Sequence, residues 1–422
     1  MLLVYYMLII NILAFILYGV DKKKAEKEKY RIPESRLILV AVLGGAFGAI
    51  LGMIAFHHKT KKTKFRVVVP IFVCLYAALM AFFLYGNYHL VTTEYEYASV
   101  DVSEELDGYT IVQISDLHNQ LFGIGDSSLM KDIKAAEPDI IVVTGDVVDV
   151  SHTSFKLAEV FFEGAVKIAP VYYISGNHEK WLADVRKDDY NQFIQDIQAM
   201  GVNCIDDKTV DMQGFTLAGV SEWSLGGEIN VDNKLNGAED NHSEDNIEDN
   251  VAVDSAESDL VVMLAHEPGY LSDYSEAGAD VVLTGHNHGG QIVVPGKGGL
   301  ISADFEFFPE LCEGVHTEGE TAMFISRGLG NSLFPVRINN YPEIVKVVLR
   351  KEEHKLMHVY MPELVGLNVE SAKSKLEGMG FFNVIVEYEK VEGVEPGQVI
   401  RQSIPAETTV STEFEITIYV AE

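Results

Sequence analysis

Three apolar runs open the chain, at residues 1–20, 37–56 and 67–88, and none contains Asp, Glu, Lys or Arg. Each reaches the ~20 residues an α-helix needs to cross a bilayer. The first has no basic stretch before it and no small-residue cleavage pattern, so it reads as retained rather than as a removed leader. The second places Gly44, Gly48 and Gly52 one turn apart, a spacing that permits close helix–helix approach in lipid. Past residue 90 the pattern shortens. β-type runs at 109–115, 139–144, 171–175, 214–220, 260–265, 280–284, 291–294, 321–326 and 344–349 alternate with helix-like stretches. That alternation predicts a layered α/β domain over 108–352. It fails at 227–259, where 11 acidic residues, 6 Asn and one lysine, Lys234, show no periodicity. This stretch reads as an unstructured insertion, a lid or a passive loop, and it lacks EF-hand spacing. In a last unit, 358–422, Asn368 is placed to cap a helix with apolar face Ala372, Leu376 and Met379. Strand-like runs follow at 383–389, 398–404 and 413–420.

Charge divides the chain in two. Of its 422 residues, 1–91 hold 12 Lys/Arg against 4 Asp/Glu, and the rest hold 20 against 59. The acidic part excludes nucleic acid as the expected partner, because phosphate backbones require basic patches. The basic residues of the first part lie in loops 21–36 and 57–66, and three simple crossings cannot put both in the cytoplasm. If loop 57–66, nearest the last span, decides, everything beyond residue 90 is outside. Alternatively the glycine-rich second run is re-entrant and both loops are cytoplasmic. Either way the bulk of the chain is expected outside. Cys74, Cys204 and Cys312 match no zinc module and no disulfide framework.

The candidate chemistry begins at Ile111–His118. Side chains i and i+2 share a strand face, so Asp116 and His118 would leave one buried strand together. Four further segments end β-type runs or turns: Gly145-Asp146-Val147-Val148-Asp149, Gly176-Asn177-His178-Glu179, His266, and Gly285-His286-Asn287-His288. They gather carboxylates, an amide and imidazoles without a thiol, a donor set that suits Mn, Fe or Zn. Singly each motif is weak. Five in order, holding five of the chain's 13 histidines, are a constellation.

This order of motifs resembles the calcineurin-like metallophosphoesterase superfamily over about residues 108–352. The resemblance implies a two-sheet sandwich flanked by helices and two divalent metal ions. Asp116, Asp146 and His288 would hold one metal, with His118 completing its shell. Asp146 would bridge to a second, completed by Asn177, His266 and His286. Such a pair can clamp phosphate oxygens and lower the pKa of a bridging water toward ~7, giving a hydroxide that attacks phosphorus in line. His178 would stay off the metals and stabilise charge or protonate the leaving oxygen. Asp149 is placed to orient a ligand histidine. Ser175 stands where protein Ser/Thr phosphatases of the superfamily have Arg, and Asp149-Val150-Ser151 where they have Asp-Arg-Gly. Gly285–Gln291 and Ser326-Arg327-Gly328-Leu329-Gly330 instead resemble the bacterial membrane-associated or exported branch, which includes phosphodiesterases of lipid-linked or cell-envelope phosphates. Arg327 and Arg337 are expected to meet a substrate phosphate.

Two flanking resemblances complete the reading. Asp21-Lys22, Arg31-Ile32-Pro33-Glu34, Gly44-Gly45 and His58-Lys59-Thr60 resemble a family of small bacterial membrane proteins of unknown function, over roughly 1–88. Pro362–Leu367, Ala372, Leu376, Gly380, Pro396-Gly397, Gln402-Ser403 and Pro405 resemble the PASTA domain, an extracellular module linked to peptidoglycan fragments, with Ala406 where a glycine is usual. The whole reads as a membrane-anchored, outward-facing metal-dependent phosphoesterase acting on lipid-linked or cell-envelope phosphodiesters or monoesters. Its expected partners are membrane lipid and, through 358–422, cell-wall polymer. A nucleotide or cyclic-nucleotide phosphodiesterase, and a cell-wall sensor built on the PASTA-like unit, are the alternatives.

Overall fold

The apolar N-terminal part folds as α1 (Leu2–Glu26), α2 (Glu34–Val40), α3 (Ala46–Ala55) and α4 (Thr63–Tyr88). A computed structural model describes residues 2–225, 260–331, 336–353, 357–391 and 393–422. The expected insertion at 227–259 lies outside them. Glu34–Ala55 has the length and hydropathy of a membrane span, yet its backbone breaks at Leu43 and Gly44, where φ of Gly44 is 112°. Only glycine adopts that conformation cheaply. α2 therefore runs back along α1 and α3 returns beside it, a hairpin of the kind the re-entrant alternative expects. The return is close-packed. A Cβ at Gly45 or Gly52 would lie 2.9 Å from that of Ala14 or Tyr18, and one at Gly48 would overlap the Asn11 carbonyl. The Asn11 side chain satisfies the break, donating to Gly44 O at 2.9 Å and accepting from Gly48 N at 2.8 Å. Apolar surroundings require this, since an unpaired backbone group in lipid costs several kcal/mol. Both ends of the hairpin meet at buried Asp21. It binds His58 Nε2 at 2.7 Å, Ile32 N at 2.9 Å, Arg31 at 3.3 Å and Lys59 at 3.4 Å.

α4 runs almost directly into β1 (Val91–Ser99). The domain that follows carries β2 (Thr110–Ile114), α5 (Ser127–Ala135), β3 (Ile140–Thr144), α6 (Phe155–Ala165), β4 (Val171–Ile174), α7 (Asn177–Val185), α8 (Lys187–Ala199), β5 (Val202–Cys204), β6 (Thr209–Asp211), β7 (Thr216–Gly219), β8 (Val261–Leu264), α9 (Leu271–Glu276), β9 (Val281–Thr284), β10 (Val293–Val294), β11 (Gly298–Gly299), β12 (Gly314–Glu318), β13 (Thr321–Ile325) and β14 (Glu343–Lys351). Two sheets form, in the orders β1-β14-β2-β3-β4-β5 and β12-β13-β9-β8-β7-β6. β2 to β5 are parallel, as are β7, β8, β9 and β13.

Strand periodicity divides the side chains between layers. Ile140 and Val142 face the second sheet, against Leu217, Val262, Leu264 and Leu283. Ile141 and Val143 face α5, α6 and α8 through Ile133, Phe161, Phe162 and Phe193. Met263, Val282 and Met323 pack on Leu271 and Tyr274 of α9. Both sheets are thus covered on both faces, which is why their central strands read as continuous apolar runs. Each fully buried Phe contributes about 1.5–3 kcal/mol. The result is the expected α/β sandwich flanked by helices.

The C-terminal unit holds β15 (His358–Tyr360), α10 (Val369–Glu377), β16 (Val384–Glu389), β17 (Val399–Gln402), β18 (Thr409–Ser411) and β19 (Ile416–Ala421). Asn368 caps α10 by accepting from Glu370 N at 3.0 Å. Ala372 and Leu376 pack on Ile416, Ile418 and Val420.

Candidate metal centre

The parallel strands deliver their polar residues to one edge of the sandwich. Asp116 follows β2, Asp146 follows β3, Asn177 follows β4, His266 follows β8 and His286 follows β9. Crevices beyond the carboxyl ends of parallel strands are where α/β sheets place their sites. The chain turns sharply at five site residues: Asp116, His118, Asp146, His286 and His288 all have φ between 45° and 67°. Left-handed backbone at non-glycine residues costs of order 1–3 kcal/mol each and clusters at functional sites. Gly145, at φ 88°, brings Gly176 and His266 so close that a Cβ would lie 2.7 Å from each.

Asp146 is the hub. Its Oδ2 lies 3.4 Å from His266 Nε2, 3.6 Å from His118 Nε2 and 4.0 Å from His178 Nε2. On one side His118 Nε2 faces His288 Nε2 at 3.1 Å, and His288 Nε2 lies 3.6 Å from Asp116. On the other, His266 Nε2 lies 3.1 Å from Asn177 Oδ1 and 3.3 Å from His286 Nδ1. Asp116 with His118 and His288, and Asp116 with Asp146 and His266, each converge tightly enough to hold an ion. The donor set fits a divalent metal. Ring nitrogens confront one another at 3.1 Å (His118 and His288) and 3.3 Å (His266 and His286), and the donors are N and O only. His266 Nδ1 donates to Thr144 O at 2.7 Å, which leaves Nε2 toward Asp146; burial opposes charge on the ring, but Asp146 outweighs it and raises its pKa, so a metal there would take the place of the Nε2 proton.

Electrostatics agree. Burial first, then the charges of His118 and Arg337, push His288 down toward its neutral form, which metal binding requires. Burial opposes ionisation of Asp146, but His266, His178 and His118 hold its carboxyl well below the usual range. Burial also opposes charge on His118, but Asp149, Asp146 and Asp116 outweigh it and raise its pKa. Asp149 Oδ2 is 3.5 Å from His118 Nδ1, an ion-pair distance rather than a good hydrogen bond, while its Oδ1 accepts from Ser151 N and His152 N. Burial raises the Asp149 pKa, yet His118 and His178 bring it down to about 2.

Glu179 was quoted in its motif without a role, and the structure supplies one. Wholly buried, it accepts from Asp146 N, Gly176 N, Val147 N and Val148 N at 2.8–3.1 Å. It latches two ligand loops together. Asn119 does likewise, its Oδ1 accepting from Asp149 N and Ser154 N. Glu222 is also buried near the centre, with Oε1 unpartnered, and burial pushes its pKa up to about 7. The arginine expectations need correction. Arg337 is 0% exposed and its guanidinium is spent on Gly330 O and Arg327 O, so no substrate phosphate reaches it. Arg327 is half-buried and pairs with Glu343 at 2.6 Å. Arg337 lies behind His288 rather than at the surface of the crevice, and one arm of the Arg327 guanidinium is committed to a carboxylate 16 residues on.

Family models match three segments: the calcineurin-like phosphoesterase over 109–290, a protein family of unknown function (DUF1294) over 11–65, and the PASTA domain over 359–422. The uncharacterised protein YsdA of Bacillus subtilis is 42% identical over 20% of this chain and 93% of its own length. The uncharacterised metallophosphoesterase YkuE of the same organism is 26% identical over 62% of this chain and 86% of its own. A transmembrane protein with metallophosphoesterase domain from Danio rerio is 24% identical over 59% of this chain and 54% of its own. With the sandwich and the Asp146 cluster, these likenesses agree: the chain carries a calcineurin-like metallophosphoesterase domain in its middle, with a DUF1294 domain before it and a PASTA domain after it.

Proposed function

We propose that this metallophosphoesterase hydrolyses phosphate esters carried on lipid or cell-envelope polymer, at the outer face of the membrane, with two metal ions. The observation that carries the reading is the set of overlapping donor groups, Asp116 with His118 and His288 and Asp116 with Asp146 and His266, with Asp146 Oδ2 lying between His118 and His266, in a domain that follows a membrane helix with almost no linker. Ions held by Asp116, His118, Asp146 and His288, and by Asp146, Asn177, His266 and His286, would polarise the phosphate and acidify a water when bound. The chain's own part falls to His178. Its Nδ1 accepts from Val150 N at 3.1 Å, so the neutral ring carries its proton on Nε2, which faces Asp146. Burial favours that neutral form. Nε2–H can then donate a hydrogen bond to the ester oxygen that leaves and stabilise its developing charge. Asp149 supports this arrangement from behind His118 and His178.

The outward orientation rests on the hairpin. Because both basic loops meet at Asp21, they lie on one side, and the preference of Lys and Arg for the cytoplasm puts α4's far end outside. The PASTA domain supports a peptidoglycan contact there.

The test uses the full chain in detergent, loaded with Mn, Fe or Zn, on bis(p-nitrophenyl) phosphate and p-nitrophenyl phosphate. Metal-dependent release that Asp146→Asn abolishes is expected, and preference between the substrates sorts diesterase from monoesterase. Release without added metal, or undiminished in the variant, would sink the reading.

A further inference from the structure

We infer that Asn87, in the last turn of the membrane helix α4, is a positioning residue for the first metal site, the one formed by Asp116, His118 and His288. The inference rests on the two-metal reading above. It concerns what holds that site in shape.

Asn87 is a polar residue at the end of an apolar helix, yet it is only 8% exposed, whereas its neighbours Leu84, Tyr85 and Tyr88 are exposed. It is buried against the catalytic domain at two places that flank the same site. Its backbone carbonyl accepts from Gln120 Nε2 at 3.0 Å, and Gln120 lies two residues past His118. Its side-chain Oδ1 accepts from Arg337 N at 2.9 Å and from Asn331 Nδ2 at 3.2 Å. Next to it, Gly86 packs so tightly that a Cβ would lie 2.6 Å from Arg337 O. The helix end is seated, not merely nearby.

Arg337 carries the contact inward. Nη2 donates to Gly330 O at 2.6 Å and lies 3.4 Å from His288 Nδ1, while Nη1 donates to Arg327 O at 2.9 Å. Gly330 N in turn donates to Asp116 O at 2.6 Å. Asn340, which touches Arg337 Nη1, donates to His288 O at 2.7 Å. Asp116 and His288 thus share a backing whose outer end is the Asn87 side chain, while the segment just past His118 is tied to the Asn87 backbone carbonyl. The second site is supported differently: His266 leans on Thr144 O, and the Asp146 and Asn177 loops are joined by Glu179.

Removing the Oδ1 acceptor frees Arg337 N and Asn331, so the backing of the first site loosens and the second stays. Support of this kind is worth about 10–100-fold in metal affinity when lost. The asymmetry separates positioning from plain docking, which would weaken both sites or neither.

The experiment titrates Mn into the full chain in detergent and counts bound metal. His286→Ala isolates the first site and His288→Ala the second. In the His286→Ala background, adding Asn87→Ala is expected to weaken Mn binding by about tenfold or more. In the His288→Ala background it should change nothing. Asn87→Asp retains an oxygen acceptor for the same two donors and should restore binding, and Leu84→Ala, on the exposed helix face, should bind as the parent does. Thermal unfolding shows whether Asn87→Ala remains folded; if it does not, the Asn87→Asp pair decides. Unchanged Mn affinity in Asn87→Ala, equal loss at both sites, or an Asp variant as weak as Ala overturns the inference while leaving the two-metal reading standing. A parent chain that binds no Mn overturns both.

Discussion

Two buried aspartates organise this molecule, and they are filled in opposite ways. Asp21, in the membrane domain, is met directly by a backbone N–H, a guanidinium, an imidazole and an ammonium, at 2.7–3.4 Å. Its lone pairs are used by the chain itself. Asp146, in the catalytic domain, uses Oδ1 on His178 N, but its Oδ2 is ringed by imidazole nitrogens at 3.4–4.0 Å. Those distances are too long for good hydrogen bonds and leave room for a cation. A closed carboxylate is a fastener and an open one is a socket. The difference can be read from distance alone, before any family is considered.

The largest expected effect breaks the socket. Asp146→Asn should lower metal-dependent turnover by about 10³-fold or more, since ion-assisted charge stabilisation is worth several kcal/mol. Its metal-free stability should stay close to the parent's, because the retained Oδ1 still accepts from His178 N. A large stability loss without metal would make Asp146 a second fastener. Asp21→Ala should do the reverse. Stripping the partner from buried His58 and Lys59 costs about 3–5 kcal/mol, measurable by unfolding of the full chain in detergent, with bound metal per folded molecule unchanged. Metal loss in proportion would end the contrast.

Glu179→Gln sharpens it, since this carboxylate is a fastener inside the socket. The amide offers one oxygen where four N–H groups converge, leaving about two donors unsatisfied at roughly 1–3 kcal/mol each. Stability and metal retention should fall together, unlike in either aspartate variant. The smallest effect is expected at Asp126, which accepts from Phe122 N and has Oδ2 unpartnered. Burial pushes its pKa up to about 6. A folded-state pKa above the unfolded value means the folded form holds the proton more tightly. This contribution is therefore full below pH ~4 and is lost as pH rises through 6. The parent's melting temperature should carry a downward component between pH 4 and 7 that Asp126→Asn lacks; identical profiles would show that the carboxyl is ionised without cost.

The socket was legible in sequence because its parts are local. Each ligand sits one to four residues past a strand, so short motifs carry them, and their order survives in one dimension. The fasteners were not, for a physical reason. Asn87 and Arg337 meet across 250 positions, and Asp21 and His58 across 37; nothing in the intervening pattern encodes the meeting. β1 was missed because Val91–Ser99 is an edge strand with alternating half-buried and exposed residues, so its Thr-Thr-Glu-Tyr-Glu-Tyr run looked like a polar connector. The turn inside the second apolar run hid for the converse reason: hydropathy reports that a segment prefers lipid, not the direction in which it travels. Gly44 looked like one small residue among three, whereas its backbone is the bend.

The junction between α4, ending at Tyr88, and β1, beginning at Val91, has a kinetic consequence. With its last turn seated against Arg337 and Gln120, the helix gives the catalytic centre no slack, so the enzyme cannot reach down to one molecule and up to another. It patrols a single stratum at constant altitude. For an enzyme fixed in this way, encounter with a lipid-borne substrate of the proposed kind would become a planar search. Its speed would follow how crowded the leaflet is with that substrate, and diluting the leaflet with inert lipid would slow turnover even when the total amount of substrate is unchanged.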